Sequence, residues 1–532
     1  MTDSAPKPET KPDPHHGFLD SVWVISSGTF LSRVLGLARD VLWARYFGDS
    51  PASSAFVTAW TVPNVFRALF GEGAVNSAMV PTFTESLKTR TPEETGRLYS
   101  VTFTVMLIAL GALTLLIELG LAAAGVWGDL SEKTALLLKY TAAMMPYMPL
   151  ICLAGFFMAA LNAQKHFFAP AFMPALLNVV WIGAIIVFAR PPLEDAGLWV
   201  AFATVFAGLL QVLFQVPFAA ARGMRLRLSL DIHNPAFRQI LTLLAPVVIG
   251  SAAIEVNVLV NWGLAYFAVP YKGAAACLFF GNRMVQLPMA MVGLAISTAV
   301  LTPLSEHAAL KDMLAFRRTL SSALRFNLFL TVPAAAALVA LASPIVEVLF
   351  RHGEFGPEAA TRTVWVILFY CIGLWAQTGV FVILRAFYAL KDTRTPPRVA
   401  IANVLLNIAL SLVFIFVFRL EERGLALATS LCGIVQFSTL FLILRKRIGL
   451  LGGRGIAFTA MKSFAVSAVM AAFGAGVWWM WWPESSGIVI RAGALVALCL
   501  GCGLIFAAGT VALRMPELKQ LLRRGKATAT KA

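Results

Sequence analysis

"SRVLGLARDVLWARYFG", residues 32–48, decides how this chain is read. The stretch is mostly apolar and holds no Pro. It continues an apolar run that begins near residue 21, so it reads as part of a helix long enough to cross a bilayer. Yet it carries Arg33, Arg39, Asp40 and Arg45. A charge at mid-bilayer costs about 2.5–3.5 kcal/mol or more, and such residues face a bundle interior or a water-filled cavity. A membrane helix with three cations is therefore expected to line an internal site.

The rest of the chain supports a membrane setting. Of its 532 residues, 59% are hydrophobic and 13% charged, against about 25% charged in soluble domains. Apolar segments recur from end to end, about 14 of them, each near the ~20 residues a bilayer requires. They fall near 21–48, 52–84, 98–126, 134–161, 167–189, 195–219, 239–268, 273–303, 322–350, 361–390, 397–418, 423–444, 457–482 and 487–513. The expected fold class is an all-α polytopic membrane protein. The alternating ten-residue pattern of a β-barrel is missing.

A net charge of +16 would suggest nucleic acid in a soluble protein. Here it reads as loop anchors, and no nucleic-acid partner is expected. With the N-terminus inside, the cytoplasmic segments hold roughly 26 Lys and Arg against about 9 in the opposite loops, which sets an N-in, C-in topology. About eight basic residues lie inside apolar spans: Arg33, Arg39, Arg45, Arg67, Arg283, Arg325, Arg385 and Lys462. His233 in "LDIHNPAF" reads as the cap of the seventh span.

The chain repeats itself. "GEGAVNSAMVPTFTE" (71–85) matches "GLAISTAVLTPLSE" (293–306), with Gly71 over Gly293 and Pro81 over Pro303. "PALLNVVWIGAIIVF" (174–188) matches "NVLLNIALSLVFIFV" (403–417), with Asn178 over Asn407. An even number of helices separates the copies, so two six-helix lobes with the same orientation are expected, with a site between them. The organisation reads as a disordered cytoplasmic tail at 1–20, an N-lobe at 21–219, a C-lobe at 239–444, two further helices at 457–513 and a basic cytoplasmic tail at 514–532.

Within the first span Arg33 sits ~18 Å deep at ~1.5 Å per residue. Arg33 and Asp40 share a helix face and are expected to pair, while Arg39 is displaced round the helix and left un-neutralised. The second span holds Asn64, Arg67 and Glu72, with Pro63, Gly71 and Gly73 to break helical bonding where a cavity is lined. The eighth span places Arg283 beside Asn282 and Gln286. A cavity fed by these arginines is net positive and suits an anion. Arg is the residue for phosphate, because its planar fork donates in pairs and stays ionised. No catalytic grouping, nucleotide-binding loop or metal-ligand spacing is found.

"SRVLGLARDVLWARYFG", "VPNVFRALFGEGAVNSAMVPTFTE", "GNRMVQLP", "LPMAMVGLAISTAVLTPLSE" and "FYALKDTRTPPRVAIANVLLN" together resemble the MurJ (MviN) family of lipid II flippases, within the multidrug/oligosaccharidyl-lipid/polysaccharide exporter superfamily. The resemblance runs from about residue 20 to 515. It implies 14 helices in two lobes around a central cavity, with the last two helices forming a groove for the polyprenyl tail. It implies transfer of the undecaprenyl-diphosphate-linked precursor from inner to outer leaflet of the bacterial cytoplasmic membrane for peptidoglycan synthesis. The family's cavity arginines fall on Arg33, Arg39, Arg67 and Arg283, and its neighbouring acids on Asp40 and Glu72. The chain departs from relatives at Ser54, where an Asp often stands, and at Asn282, before the second-lobe arginine. At the positions nearest the carboxylates that bind a sodium ion in some relatives it has neutral Asn261, Asn407 and Ser411.

The expected partners are lipid II, membrane lipids and cell-wall synthesis or division proteins. No cofactor is expected, and coupling would be to membrane potential or a monovalent cation. The rival readings are a flippase for another diphosphate-linked oligosaccharide (O-antigen or exopolysaccharide), a multidrug exporter, and a membrane glycosyltransferase or ligase. An exporter of cationic drugs would favour acids in the cavity, and a transferase would show a catalytic carboxylate or a large outer loop.

Overall fold

A computed structural model describes residues 14–483 and 486–518; at 14–23, 71–77, 127, 245–247, 249–250 and 253 it describes the backbone alone. Residues 1–13 of the expected N-terminal tail and 519–532 of the basic tail lie outside the described residues. Every element among the described residues is helical. The helices are α1 (Pro14–Phe47), α2 (Pro51–Phe66), α3 (Gly73–Thr89), α4 (Pro92–Trp127), α5 (Glu132–Met144), α6 (Tyr147–Ala163), α7 (Phe168–Phe188), α8 (Leu193–Ala220) and α9 (Pro235–Phe267). They continue with α10 (Ala274–Pro288), α11 (Ala295–Ala309), α12 (Met313–Leu349), α13 (Pro357–Ala389), α14 (Thr395–Leu412), α15 (Glu421–Ile448), α16 (Gly453–Trp481) and α17 (Ile488–Ala512).

Eleven stretches among the described residues are long and apolar enough to cross a membrane. Three other long helical stretches, α1, α2 through α3, and α9, coincide with the remaining spans read from sequence. The first of these carries the internal charges that lower its hydropathy. Three pairs of the numbered helices make single spans: α2 and α3 join through a π-helical turn at Arg67–Glu72, α10 and α11 through one at Met289–Leu294, and α5 and α6 form one span at Glu132–Ala163. The two turns stand at the spacing that separates Gly71 from Gly293 in the sequence repeat. Pro63 lies one turn before the first and Pro288 immediately before the second, where a missing N–H loosens the helical ladder.

The chain divides into two compact units. One comprises residues 1–42 and 62–251, the other 43–61 and 252–532. Helices α1, α2 and α9 each contribute to both.

In the first unit a core of aromatic side chains joins α3, α4 and α6: Phe83, Tyr99 and Phe156 are buried, with rings edge-on at 4.8–6.5 Å. Buried amides bind helices to one another. Gln211 of α8 donates to the Met173 carbonyl of α7 at 3.1 Å, and Gln215 to the Ala154 carbonyl of α6 at 3.0 Å. In lipid, where apolar attraction between helices is weak, such bonds and close small-residue contacts hold a bundle together. Thr91 and Glu94 form a reciprocal capping box at the start of α4, with Pro92 at its first position. At α9 it is Asn234 rather than His233 that caps: its side-chain oxygen accepts from the N–H groups of Ala236 and Phe237. A shorter side chain with a carbonyl oxygen next to the helix start reaches those orphan donors better than an imidazole one residue further out.

In the second unit α13 is central, packed on α10, α12 and α15. The α13 backbone meets α15 closely at Gly373, where a Cβ would lie 2.5 Å from Ser430, whose hydroxyl donates to the Phe369 carbonyl at 2.7 Å. The turn between α1 and α2 is built into this unit. Trp43 stacks on Phe47 at 4.0 Å and donates to Ser53. Ser54, fully buried, accepts the Ala276 N–H, and Tyr271 donates to Asp49. Gly48, at φ +53°, approaches Glu354 so closely that a Cβ would lie 2.2 Å from its carbonyl oxygen.

Candidate functional site

The α1 charges are organised by α7. Gly28 abuts Ala171, where a Cβ would lie 2.6 Å from the Ala171 carbonyl oxygen, so α1 and α7 touch backbone to backbone. Further along, Asn178 bonds to Ser32 and Arg39, and Trp181 faces Arg39. Residue numbers rise together on both helices, so they run side by side in the same direction.

Arg39 and Asp40 are both buried there, at 6% and 2% exposure. The Arg39 Nε and Nη2 groups donate to Asp40 Oδ1 at 3.0 and 2.7 Å, Nη1 donates to Asn178 Oδ1 at 3.0 Å, and the guanidinium lies 4.8 Å from the Trp181 ring centroid. This corrects the expected pairing: Asp40 is joined to Arg39, not to Arg33. Helical-wheel geometry fixes where a side chain starts, but the long Arg39 chain is drawn back to Asp40 because α7 offers an oxygen and an aromatic face beside it. Arg33 is exposed in the isolated protein and has no ion pair or hydrogen bond among the described residues.

Arg67 opens the π-helical turn and donates through Nε to Asn64 Oδ1 at 2.8 Å. π-helical turns occur often at functional sites because they re-aim side chains. The side chain of Glu72 lies outside the described residues. The first unit thus brings Arg39 and Asp40 together and pairs Arg67 with Asn64. Its described α1 and α2 side chains, with the start of the turn, set Arg33, Arg39 and Arg67 against the single carboxylate of Asp40.

The second unit carries Arg283, half-buried, whose Nη1 donates to Gln286 Oε1 at 3.3 Å beneath the Phe279 ring at 5.2 Å. Asn282 is half-buried beside it. Of the three neutral residues read as a candidate ion site, Ser411 donates to Asn261 Oδ1 at 3.4 Å. Asn407, one turn earlier on α14 and 1% exposed, has an Oδ1 with no hydrogen-bond partner. Neutral oxygens of this kind suit a monovalent cation. No cluster of three His, Cys, Asp or Glu side chains that could hold a metal is present among the described residues.

Other half-buried cations have structural partners. Arg325 bonds to Glu517 at 2.6 Å and to Thr459, Lys462 donates to the Leu513 carbonyl, and Arg362 is held by Glu358, Glu421 and the fully buried Glu422. Asn178 and Trp181 were not singled out as site residues from sequence. The signal for Asn178 was present as an amide inside an apolar run, matched to Asn407 by the repeat; Trp181 gave none.

Comparison with known proteins follows this geometry. The family model described as "Lipid II flippase MurJ" matches residues 43–489. A protein of Rhizobium meliloti named "Probable lipid II flippase MurJ" is 31% identical over 91% of this chain and 90% of its own length. The "Lipid II flippase MurJ" of Burkholderia cenocepacia is 31% identical over 80% of this chain and 83% of its own. A solved structure described as "Lipid II flippase MurJ, inward closed conformation" shares the fold at a TM-score of 0.75 and 24% identity, covering 92% of this chain and 98% of that one. An inward-facing multidrug resistance transporter of the MATE family and MOP superfamily shares it at 0.67 and 14% identity, covering 81% and 98%.

Proposed function

The chain belongs to the MurJ family of lipid II flippases, and on that premise we propose that it carries lipid II from the inner to the outer leaflet of the bacterial cytoplasmic membrane by alternating access. The observation that carries this reading is the excess of cations in the first unit. Within the first unit Arg33 and Arg39 of α1 and Arg67 of the π-helical turn stand with Asp40 as the described carboxylate of those segments, and Arg33 has no partner among the described residues. A diphosphate is the part of lipid II such a group suits, because paired N–H donors match its oxygens and the charge offsets desolvation of the head group.

Arg33, Arg39 and Arg67 are proposed to bind the diphosphate, supported by the polar groups of Asp40, Asn64 and Glu72. Arg283, with Asn282 and Gln286 beside it, is proposed as a further diphosphate-binding residue. The long apolar helices α16 and α17 suit the polyprenyl tail. Both termini are proposed to lie in the cytoplasm, a reading supported by the Lys and Arg bias of the loops. Return of the empty carrier is driven by membrane potential acting on its fixed positive charge, or by a monovalent cation held by the oxygens of Asn261, Asn407 and Ser411. The protein moves its substrate without altering it, and cell-wall synthesis proteins are its proposed partners.

The test is reconstitution of purified protein into vesicles with lipid II confined to one leaflet. Chemically unchanged lipid II reaching the other leaflet supports the reading; consumption of lipid II into a product, or no movement beyond protein-free vesicles, contradicts it.

A further inference from the structure

Asn178 bonds to two residues of α1, Ser32 and Arg39, whose backbones lie ~10 Å apart along the helix axis. Its Nδ2 donates to the Ser32 carbonyl at 2.9 Å and meets the Ser32 hydroxyl at 3.4 Å, while its Oδ1 accepts from Arg39 Nη1 at 3.0 Å. The amide orientation is fixed by chemistry, since the guanidinium only donates and the carbonyl only accepts. The Ser32 carbonyl is reachable because Gly36 stands over it. A Cβ there would lie 3.7 Å from Asn178 Nδ2, and any longer side chain would crowd the amide. Trp181, three residues on and on the same face of α7, supplies the ring against which Arg39 lies.

From this geometry we propose that Asn178 is a positioning residue of the substrate site, seating Arg39 on Asp40 and Trp181 and anchoring the turn of α1 that bears Arg33, so that both α1 arginines are held in place for the diphosphate. The proposal rests on the reading of these arginines as the diphosphate site. Asn178 acts through Arg39 and Ser32 and touches no substrate itself. Other side chains do part of the task at most: Asp offers oxygens for Arg39 but no donor for Ser32, and Leu offers neither, so neither ties Arg39 to the Ser32 turn of α1. With Arg39 released, two mobile cations replace two held in place, and the site loses its preorganised charge.

The experiment is equilibrium binding of undecaprenyl diphosphate to the purified full-length protein in detergent, arranged as a double-mutant cycle of Asn178→Ala and Arg39→Ala. Asn178→Ala is expected to weaken binding about tenfold, the effect of one charge-assisted hydrogen bond. In the Arg39→Ala background the same change is expected to weaken binding severalfold less than in the parent, because only the Ser32 contact is left to lose. Equal effects in both backgrounds, or no effect alone, overturn the proposal, since a general packing role would lower binding whether or not Arg39 is present. If Asn178→Ala does not yield folded protein, Trp181→Leu removes the ring and leaves every hydrogen bond. Binding should then fall several-fold in the parent and remain unchanged beside Arg39→Ala, and additivity again overturns it. Should Arg33→Ala and Arg39→Ala both bind as the parent does, the diphosphate site itself is wrong and the proposal falls with it. Should they weaken binding while Asn178→Ala does not, the positioning role alone fails.

Discussion

Asp40 lies seven positions after Arg33 and directly after Arg39, and the ion pair forms with the nearer cation. The charges themselves were legible in the sequence, because an Arg in an apolar run has few bland explanations. Their pairing was not, because it is decided by Asn178 and Trp181, more than a hundred residues away in the chain. Asp392 is a residue-scale feature of a different kind, in the loop before α14. Partial burial raises its pKa, but hydrogen bonds from Thr395, from the Arg394 backbone and from Arg447 outweigh this and hold it down at about 2. An unfolded Asp titrates near 3.9. Its stabilising contribution is therefore full above about pH 4 and lost as pH falls toward 2. Melting curves of the detergent-solubilised parent and Asp392→Asn should differ most between pH 5 and 7 and converge near pH 2. A gap that is constant with pH would show that the carboxylate is not the source.

Helix α1 depends on small residues where it meets α7. At Gly28 the two backbones are too close for any side chain. Gly28→Leu should force them apart and lower stability by about 1–3 kcal/mol, with Gly28→Ala intermediate; a denaturant or thermal melt reads both. An unchanged melt would mean that the contact contributes little. The π-helical turns show how far element-level reading goes. Pro63, Gly71 and Gly73 marked a break in the second span, and the break lies at Arg67–Glu72. Met289–Leu294 has an equivalent turn after Pro288 that was not read from the sequence. The cap of α9 was misread by one residue because His233 and Asn234 are both polar and adjacent. Only backbone position decides which of them reaches the orphan N–H groups.

At the scale of the whole molecule, hydropathy and charge carried most of the architecture. Long apolar runs separated by short basic or acidic loops leave helices as the only structure that satisfies the backbone in lipid. What left no mark in hydropathy is the way α1, α2 and α9 each divide between the two compact units. That division is set by contacts such as Ser54 with Ala276 and Tyr271 with Asp49, made between residues far apart in sequence. If the fixed cations reset the empty carrier through the membrane potential, each charge moved gains ~2.3 kcal/mol per 100 mV. Flipping in proteoliposomes should then change severalfold with an imposed potential, and indifference to it would exclude that drive. The central claim is that arginines inside the membrane bind the diphosphate. It is tested most directly by replacing Arg33, Arg39, Arg67 and Arg283 with Ala, one at a time, in cells that depend on this protein, and measuring lipid II on the outer leaflet alongside the amount of inserted protein. The account expects exposure of lipid II to fall tenfold or more while protein levels hold; flipping that survives all four changes would contradict it.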